Sequence, residues 1–336
     1  MSSVTSGLIK TSFTSAITMR GELLNFVIKG TSQTSCSDER AGQSYNDDVA
    51  IISAVRTPIC KAFRGQFKDT SARDLLSAVL KAVVERSTVN PGEVGDIAVG
   101  MVLGPAGKRT KDCRMAMLEA GFPEKVPIHS VNRQCGSGLQ AIADIAACVK
   151  AGFIDIGIAA GVESMTSDYS PGWKGSINPK VYSNQKAKDC LLPMGLMSEN
   201  VASAYKISRK EQDASAVLSH ERAYSALSNG RFEAEIIPVK TKFIDARSGQ
   251  EEEITVLTDD GIRSNTNMSA LSSLKPVFKM DGSTTAERMA LFLRGRAPEI
   301  QGLHMPIDES TDLVEQEYVD DTMIFCQYDS DTLDRI

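Results

Sequence analysis

One cysteine stands where the chain is predicted to turn from a strand into a helix. The segment 131–140, VNRQCGSGLQ, places Cys135 directly before three small residues. Apolar residues at helical spacing follow: Leu139, Ile142, Ile145, Ala146 and Val149. Backbone N–H groups and the helix dipole at such a turn favour a thiolate over a thiol. The segment therefore predicts a nucleophilic cysteine in an arrangement like a nucleophile elbow.

A buried structural cysteine is the alternative, because free cysteines are among the most buried residue types. The local residues support both interpretations equally. A cysteine nucleophile usually also needs a base, and the three histidines are His129, His220 and His304. His129 precedes Cys135 by six residues on the same predicted strand, where its side chain is expected to point away from the cysteine or into the core. No histidine is therefore marked as the base by its position.

Composition narrows the class of protein. The chain has 336 residues, 42% hydrophobic and 24% charged, which suits about two globular domains. A net charge of -6 argues against a general binder of nucleic acid or anionic membrane. No apolar run approaches the roughly 20 residues that span a bilayer. Seven cysteines without paired spacing indicate reduced thiols, and without CxxC or HExxH patterns no metal site is predicted.

Alternating buried strands and amphipathic helices follow from Asp48 onward. The clearest helix is capped at Thr70 or Ser71. It carries an apolar stripe at i, i+3 and i+4 spacing: Leu75, Leu76, Val79, Leu80, Val83 and Val84. This alternation predicts an α/β domain over 47–165 with a largely parallel sheet.

The regions on either side of this domain differ from it in amino-acid composition. Residues 1–46 are rich in serine and threonine, and we expect a disordered leader, with a transit peptide as the alternative. From about 166 a loop rich in proline and glycine leads into a mainly helical insertion that extends to 280 and covers the α/β domain. Within it we predict helices at 195–205, 209–228 and 270–278, and strands at 236–241 and 253–257.

Five segments carry a resemblance to a known family: RTP at 56–58, VNRQCGSGLQ at 131–140, GVESM at 161–165, LPMGLMSENV at 192–201, and DGIR at 260–263 running to LKPVF at 274–278. In this order and spacing, residues 48–286 resemble the amino-terminal half of a thiolase. The resemblance is to the plant peroxisomal 3-ketoacyl-CoA type, and it covers roughly seventy per cent of the chain.

The resemblance implies the chemistry of fatty-acid β-oxidation. Cys135 would cleave a 3-ketoacyl-CoA, hold the acyl group as a thioester and pass it to coenzyme A, with no permanently bound cofactor. Met194 matches a residue of the acyl pocket, and Arg263 matches one near the nucleotide of coenzyme A. A solvated surface charge is the alternative for Arg263. The family implies a peroxisomal location, although no peroxisomal signal is recognisable and the cytoplasm or another organelle is also compatible.

The likeness to the family stops after Ala286. Residues 281–286 would begin a strand that returns to the α/β domain, and the carboxy-terminal thiolase domain, with its histidine base and second cysteine, is expected to be missing. We therefore expect little or no thiolase activity and an exposed apolar face that includes part of the 136–150 helix. The alternative to a weak enzyme is a truncated, non-catalytic product that pairs with an intact thiolase subunit, and a homodimer is also conceivable.

The tail, residues 287–336, resembles a different protein class. Its segment EQEYVDDTMIF at 315–325 is similar to the Tyr-x-Asp-Asp hairpin of retrotransposon reverse transcriptases. Adjacent aspartates at a turn suit a two-metal site, and an ordinary acidic turn is the alternative. The other polymerase motifs are absent from the sequence. We therefore predict no nucleic-acid partner and no bound metal.

Overall fold

The computed structural model describes residues 15–20, 49–104, 109–168 and 177–285, which form two compact units. The first unit comprises Met1–Tyr169 and Phe232–Asp260, and the second Ser170–Arg231 and Gly261–Ile336. The strands are β1 Ser15–Arg20, β2 Ala50–Arg56, β3 Asp96–Gly100, β4 Ile128–Val131, β5 Ile156–Gly161, β6 Val239–Ile244 and β7 Glu251–Val256. The α-helices are α1 Ala72–Ser87, α2 Arg109–Glu119, α3 Ser137–Lys150, α4 Gln185–Asp189, α5 Met194–Ala204, α6 Arg209–Ser228 and α7 Met268–Ser272.

The first unit is built on a five-stranded sheet of order β2-β1-β5-β3-β4. β3 pairs in parallel with β4 and with β5, whereas β1 pairs antiparallel with β2 and with β5. The α/β class with a largely parallel sheet is therefore confirmed. The carboxyl ends of β3, β4 and β5 meet at one edge of the sheet, so the residues that follow these three strands lie close together.

Helices cover both faces of the sheet, because the inner strands β3 and β5 are buried and apolar on both sides. On β3, Ile97 belongs to the apolar cluster that contains the α1 stripe, whereas its neighbour Ala98 belongs to the cluster that contains α3. Ser71 caps α1, as predicted, by accepting from the Asp74 N–H. Each fully buried leucine or valine of α1 contributes about 1.5–3 kcal/mol relative to an exposed one.

α3 begins directly after the Cys135 turn and packs one side on the sheet. Ile142, Ile145 and Val149 are buried there, which confirms their predicted core positions. Leu139 differs, because 48% of it is exposed. The prediction that Leu139 belongs to the core is therefore wrong within the described residues, and the expected exposure of part of this helix is observed.

The leader contributes a strand to the sheet. Ser15–Arg20 form β1, which lies between β2 and β5, with Ala16 opposite Val55 on one side and Ala160 on the other. For these six residues the prediction of a disordered leader is wrong. Two neighbouring strands offer unpaired backbone groups there, and pairing with both outweighs the polar composition of the segment. The rest of 1–46 lies outside the described residues.

Residues 232–260 return to the first unit. Both predicted strands are present as β6 and β7, and they pair antiparallel with each other. Ile237, Val239 and Val256 are buried in the cluster that contains α1. The prediction of one continuous insertion over 166–280 is therefore wrong for this segment, because its apolar residues complete the core of the α/β unit.

A buried arginine holds the returning segment. Arg56, at the end of β2, donates to both oxygens of Asp259 at 2.7 and 3.0 Å and to Glu235 at 2.6 Å. Asp259 also accepts from the Ile59 N–H at 2.8 Å. The Arg56 guanidinium lies 5.1 Å from the centroid of the Phe232 ring. This ion cluster gives a structural reason for the arginine of the RTP segment.

The second unit is helical, as predicted. α5 and α6 confirm the two longer helices, whereas the predicted helix over 270–278 is the short α7. Glu199 on α5 is buried and accepts from the N–H groups of Ser283 and Thr284 at 2.7–3.0 Å. Residues 281–285 therefore attach to α5 and do not begin a strand, because the buried carboxylate takes the N–H groups that a ladder would use.

Candidate active site

The turn that carries Cys135 is held by hydrogen bonds within itself. Cys135 lies between the end of β4 and the start of α3. The Ser137 hydroxyl accepts from the Arg133 N–H at 2.9 Å and donates to the carbonyl of Gln134. Gln134 has a φ of 52°, which is uncommon for a residue with a side chain. The strained residue is thus the one before the cysteine, and the predicted strand-to-helix position of Cys135 is confirmed.

A glycine at the end of β3 lets the helix start come close. A Cβ placed on Gly100 would lie 2.5 Å from the Gly138 nitrogen and 2.5 Å from the carbonyl carbon of Ser137. Backbone atoms cannot yield by that much. Gly100 therefore permits the first turn of α3 to rest against the sheet. This role could not be recognised from the sequence, because it depends on two segments about 40 residues apart.

Glu163 is a residue of this site to which the sequence analysis assigned no role. It follows β5, and its carboxylate accepts from the Val102 N–H at 2.8 Å and from the Leu103 N–H at 3.0 Å. Asn132 links that loop to the cysteine turn, because its Nδ2 donates to the Val102 carbonyl at 3.4 Å and its Oδ1 accepts from the Gln134 N–H at 3.0 Å. The one sequence signal was an acidic residue three positions after the apolar run that ends at Ala160.

The surroundings of Cys135 raise the pKa of its thiol, whereas the helix start was expected to lower it. Cys135 is exposed at the surface, yet the protein around its sulfur displaces enough water that desolvation is the main cause that raises the pKa of the thiol. A hydrogen bond with its own backbone amide lowers that pKa, and the Glu163 carboxylate raises it by less than this bond lowers it. Burial likewise raises the pKa of Glu163, while the two N–H donors hold it down in part. The local backbone therefore acts on the pKa in the predicted direction, but desolvation outweighs it and the pKa of the thiol is raised overall.

The histidines of the described chain are engaged elsewhere. His129 Nδ1 lies 3.3 Å from Asp96 Oδ2, and Asp96 begins β3 at the end opposite to the cysteine turn. His220 belongs to the second unit, where its Nδ1 accepts from the Arg263 N–H at 3.4 Å. His304 lies outside the described residues. Within the first unit as described, no histidine is placed as a base for Cys135.

The two other predicted site residues belong to the second unit. Met194 is the first residue of α5 and packs against the apolar cluster of Leu192, Leu196 and Phe278. Arg263 is half-buried and follows the return of the chain to that unit. Cys135 belongs to the first unit, so the joint site of these three residues stays a prediction.

The described residues contain no group of three or more histidine, cysteine, aspartate or glutamate side chains arranged to hold a metal ion. None of the helices described is long and apolar enough to cross a membrane. The acidic pair of the tail, Asp320 and Asp321, lies outside the described residues, as does the whole segment 287–336, so its predicted origin stays a prediction.

The first unit thus has an α/β sheet with a cysteine at the turn between a parallel strand and a helix. The family model described as "Thiolase, N-terminal domain" matches residues 49–291. The chain therefore belongs to the thiolase family, and the resemblance found in the sequence is confirmed. The match extends five residues beyond Ala286, where the sequence likeness was predicted to stop.

Named relatives agree with the family. The chain is 59% identical to "3-ketoacyl-CoA thiolase 1, peroxisomal" of Arabidopsis thaliana over 74% of this chain and 56% of the relative. It is 47% identical to "3-ketoacyl-CoA thiolase B, peroxisomal" of Rattus norvegicus over 79% of this chain and 63% of the relative. The dimeric peroxisomal thiolase of Saccharomyces cerevisiae matches in structure with a TM-score of 0.66 at 40% identity, over 73% of this chain and 62% of that one. The chain thus spans little more than half the length of these relatives.

Proposed function

We propose that this chain carries the nucleophile of a 3-ketoacyl-CoA thiolase that acts in fatty-acid β-oxidation. The observation that supports this most directly is the position of Cys135 before α3, at the sheet edge where β3, β4 and β5 end. Two glycines that follow Cys135, Gly136 and Gly138, leave space for an acyl group. A Cβ on Gly138 would meet nothing within 4 Å.

In the proposed reaction, the Cys135 sulfur attacks the keto carbon of a 3-ketoacyl-CoA. The bond between the α and β carbons breaks, and the departing acetyl-CoA carbanion takes a proton. The acyl group stays on Cys135 as a thioester until the thiol of a second coenzyme A takes it and the cysteine thiol is restored. Met194 would contact the acyl chain. Arg263 would contact the nucleotide, because a guanidinium binds phosphate and stacks on adenine.

Acyl transfer to the cysteine is the direct test. The full chain is incubated with octanoyl-CoA and digested, and the peptide that contains Cys135 is weighed. We expect the octanoyl mass on that peptide, its removal by added coenzyme A, and no such behaviour in Cys135→Ala. Cys190, an exposed thiol of the second unit, serves as the control for non-specific acylation. Equal labelling of Cys135 and Cys190 would overturn the proposal.

Turnover is expected to be slow for the chain as it stands. The raised pKa of Cys135 lowers the thiolate fraction near neutral pH, and general-base help is worth about 10²–10⁴-fold in rate. Steady-state thiolysis of a 3-ketoacyl-CoA, measured against an intact plant thiolase, should be lower by at least about 10²-fold. A rate within tenfold of the intact enzyme would contradict the argument.

A second candidate function is pairing with a thiolase subunit, either another copy of this chain or an intact enzyme. Among the described strands, β4 lies at the edge of the sheet. The carbonyls of Pro127, just before β4, and of Val131 accept from β3 and the residue after it, so the N–H of Ser130 points away from β3. An open edge can pair with another strand. The solved yeast relative is named as dimeric.

Ser130→Pro tests this pairing without breaking the ladder to β3. The matched control is Ser130→Ala, which loses the same hydroxyl and its contact with Thr110 but keeps the N–H. We expect the proline variant alone to weaken self-association, or association with an intact plant thiolase, by at least tenfold in sedimentation equilibrium. Equal behaviour of the two variants would exclude β4 as the contact.

The site of action is proposed to be the peroxisome, because the plant and rat relatives are named as peroxisomal. Fractionation of cells that contain the tagged full chain, with a peroxisomal membrane marker, tests this directly. Recovery of the chain in the soluble fraction alone would contradict it.

A further inference from the structure

One inner strand of the sheet comes from outside the family domain. The family model begins at residue 49, whereas β1 consists of residues 15–20. The other four strands of this sheet, β2, β3, β4 and β5, all belong to the matched part of the chain. Among the described residues, no segment of the matched part lies between β2 and β5. The matched domain therefore leaves a place in its sheet, which we call the strand slot, and the leader fills it.

The strand slot has two walls that run in the same direction. β1 is antiparallel to β2 and to β5, so β2 and β5 are parallel to each other. Without β1 these two strands would lie two strand spacings apart, about 10 Å, which is too far for hydrogen bonds between their backbones. Each wall would then present a row of unpaired N–H and C=O groups to the slot.

Helices shield the strand slot from water on both faces of the sheet. α1 and α3 both lie next to β1 and β5. On the β5 wall, Ile156, Ile158, Ala159 and Ala160 are buried. Buried backbone groups are almost always paired, and an extended peptide can supply a continuous row of partners to both walls at once. The ligand class that fits the slot is therefore a peptide strand.

The register of β1 also opposes residues of different size. In three successive pairs with β5, a larger residue of one strand lies opposite a smaller residue of the other: Ile17 with Ala159, Thr18 with Ile158, and Met19 with Gly157. Alternating large and small residues at facing positions keeps the filled volume even. The pairing with β5 runs through all six residues of β1 without a register shift. The segment thus matches this wall by size as well as by backbone pairing.

We propose that the strand slot is a peptide-binding site and that residues 15–20 are its ligand, bound in cis. The ligand is an extended strand, antiparallel to β2 and β5, with its larger apolar residues at the third and fifth positions. The leader thereby completes the sheet of a domain whose match to the family does not include it. This role goes beyond the chemistry proposed for Cys135 and does not depend on it.

Disulfide trapping in the full chain tests which strand occupies the slot. Ile17 lies opposite Ala54 of β2, and Ala54 is exposed. The pair Ile17→Cys with Ala54→Cys therefore places two thiols at opposed positions, where Cβ atoms lie about 4.5–5.5 Å apart. Ile17→Cys with Ser53→Cys is the matched control, because neighbouring residues of a strand point to opposite faces. Links are identified by peptide mapping without reduction.

We expect only the pair at positions 17 and 54 to form a link, and we expect that link within one chain. A link between two chains would assign the slot to the leader of a second copy and overturn binding in cis. The absence of a link at these positions would remove β1 from the slot.

A labelled peptide of residues 13–22 tests the site in trans. Covalent attachment gives a segment an effective concentration of about millimolar near its slot, so the unaltered chain should capture little peptide at micromolar concentration. Ile17→Pro removes one N–H from β1 and weakens the strand bound in cis. We expect this variant to capture roughly tenfold more peptide, because an unpaired buried group costs on the order of a decade in an equilibrium constant. Ile17→Val keeps the N–H and should behave as the unaltered chain does.

The same peptide decides the question if Ile17→Pro does not fold by itself, because binding should then restore its circular dichroism and its melting transition. A scrambled peptide, and one with proline in place of Ile17, should neither bind nor restore the fold. Equal effects of the three peptides, or no effect of the native one, would overturn the peptide-binding site. A failed acyl-transfer test at Cys135 would reject the proposed function and leave this inference standing.

Discussion

Replacing Arg56 with methionine tests whether residues 232–260 belong to the first unit. The side chains of Arg56 and Asp259 are only 5% and 6% exposed. The substitution keeps most of the apolar volume and removes the charge. It leaves Asp259 buried with the Ile59 N–H as its remaining described donor. Glu235 is affected less, because 21% of its side chain is exposed to water.

The magnitude follows from the burial of the pair. Breaking a buried ion pair by removing one partner costs about 3–5 kcal/mol. The donor that Asp259 retains places the expected loss near the lower end, at about 3 kcal/mol. Arg56 is always protonated and its pKa is raised further by Asp259 and Glu235 against the effect of burial. The loss should therefore be the same at pH 6 and pH 9.

Arg86→Met is the matched control. Arg86 also donates to the returning segment, at the carbonyls of Ala234 and Ile236, but it is solvent-exposed. Its loss should cost less than about 1 kcal/mol. Both variants are unfolded with urea and followed by circular dichroism, and hydrogen exchange is measured on peptides from 239–256. We expect faster exchange there in the Arg56 variant alone.

The double variant Arg56→Met with Asp259→Leu completes the test. Removing both charges should recover at least about 1.5 kcal/mol relative to the sum of the single losses, since contacting residues couple by about 0.5–3 kcal/mol. An Arg56→Met loss no larger than that of Arg86→Met, or no coupling with Asp259, would show that the ion cluster does not hold the segment.

Four further outcomes are expected. Gly100→Ala should destabilise the fold by about 1–3 kcal/mol in urea unfolding, because its Cβ meets backbone atoms. Gly138→Ala, at a helix position where the new Cβ meets nothing within 4 Å, should stabilise the fold by up to about 1 kcal/mol. Equal effects of the two substitutions would contradict the close approach of the helix to Gly100. Glu199→Ala should cost about 3 kcal/mol through the lost N–H acceptors, and an unchanged melting temperature would argue against that contact. Because its pKa is raised, Cys135 should react more slowly with iodoacetamide at pH 8 in the folded chain than in guanidinium, and a faster folded rate would reverse the sign of the argument. Deleting residues 1–20 should raise hydrogen exchange in β2 and β5, and unchanged protection there would remove β1 from the sheet.

Features set by local spacing could be predicted from the sequence. The stripe from Leu75 to Val83 specifies one helical face, and Ser71 supplies its cap, so α1 follows from neighbouring residues alone. The position of Cys135 follows in the same way, from an apolar run, small residues and a helical repeat. The family resemblance rested on these local segments.

Features that depend on distant segments could not be predicted. Cys135 and Glu163 come to the same edge of the sheet only after β4 and β5 are both placed against β3. The backbone groups at the helix start follow from the local sequence, whereas the desolvation that outweighs them and raises the pKa of the thiol depends on the folded chain. The inclusion of residues 232–260 in the first unit likewise depends on the pairing of Arg56 with the distant Asp259. The strand formed by 15–20 could not be predicted either, because its polar sequence does not indicate that it pairs with β2 and β5.

The first unit is built from two separate stretches of the chain, which delays its folding during synthesis. Arg56 leaves the ribosome 203 residues before its partner Asp259. At about 5–20 residues per second this interval lasts roughly 10–40 s. Throughout that time the guanidinium lacks its carboxylates, and the part of the core that Ile237 and Val256 later cover is open. A nascent chain of this protein therefore offers an apolar surface to chaperones for many seconds before its first unit can close.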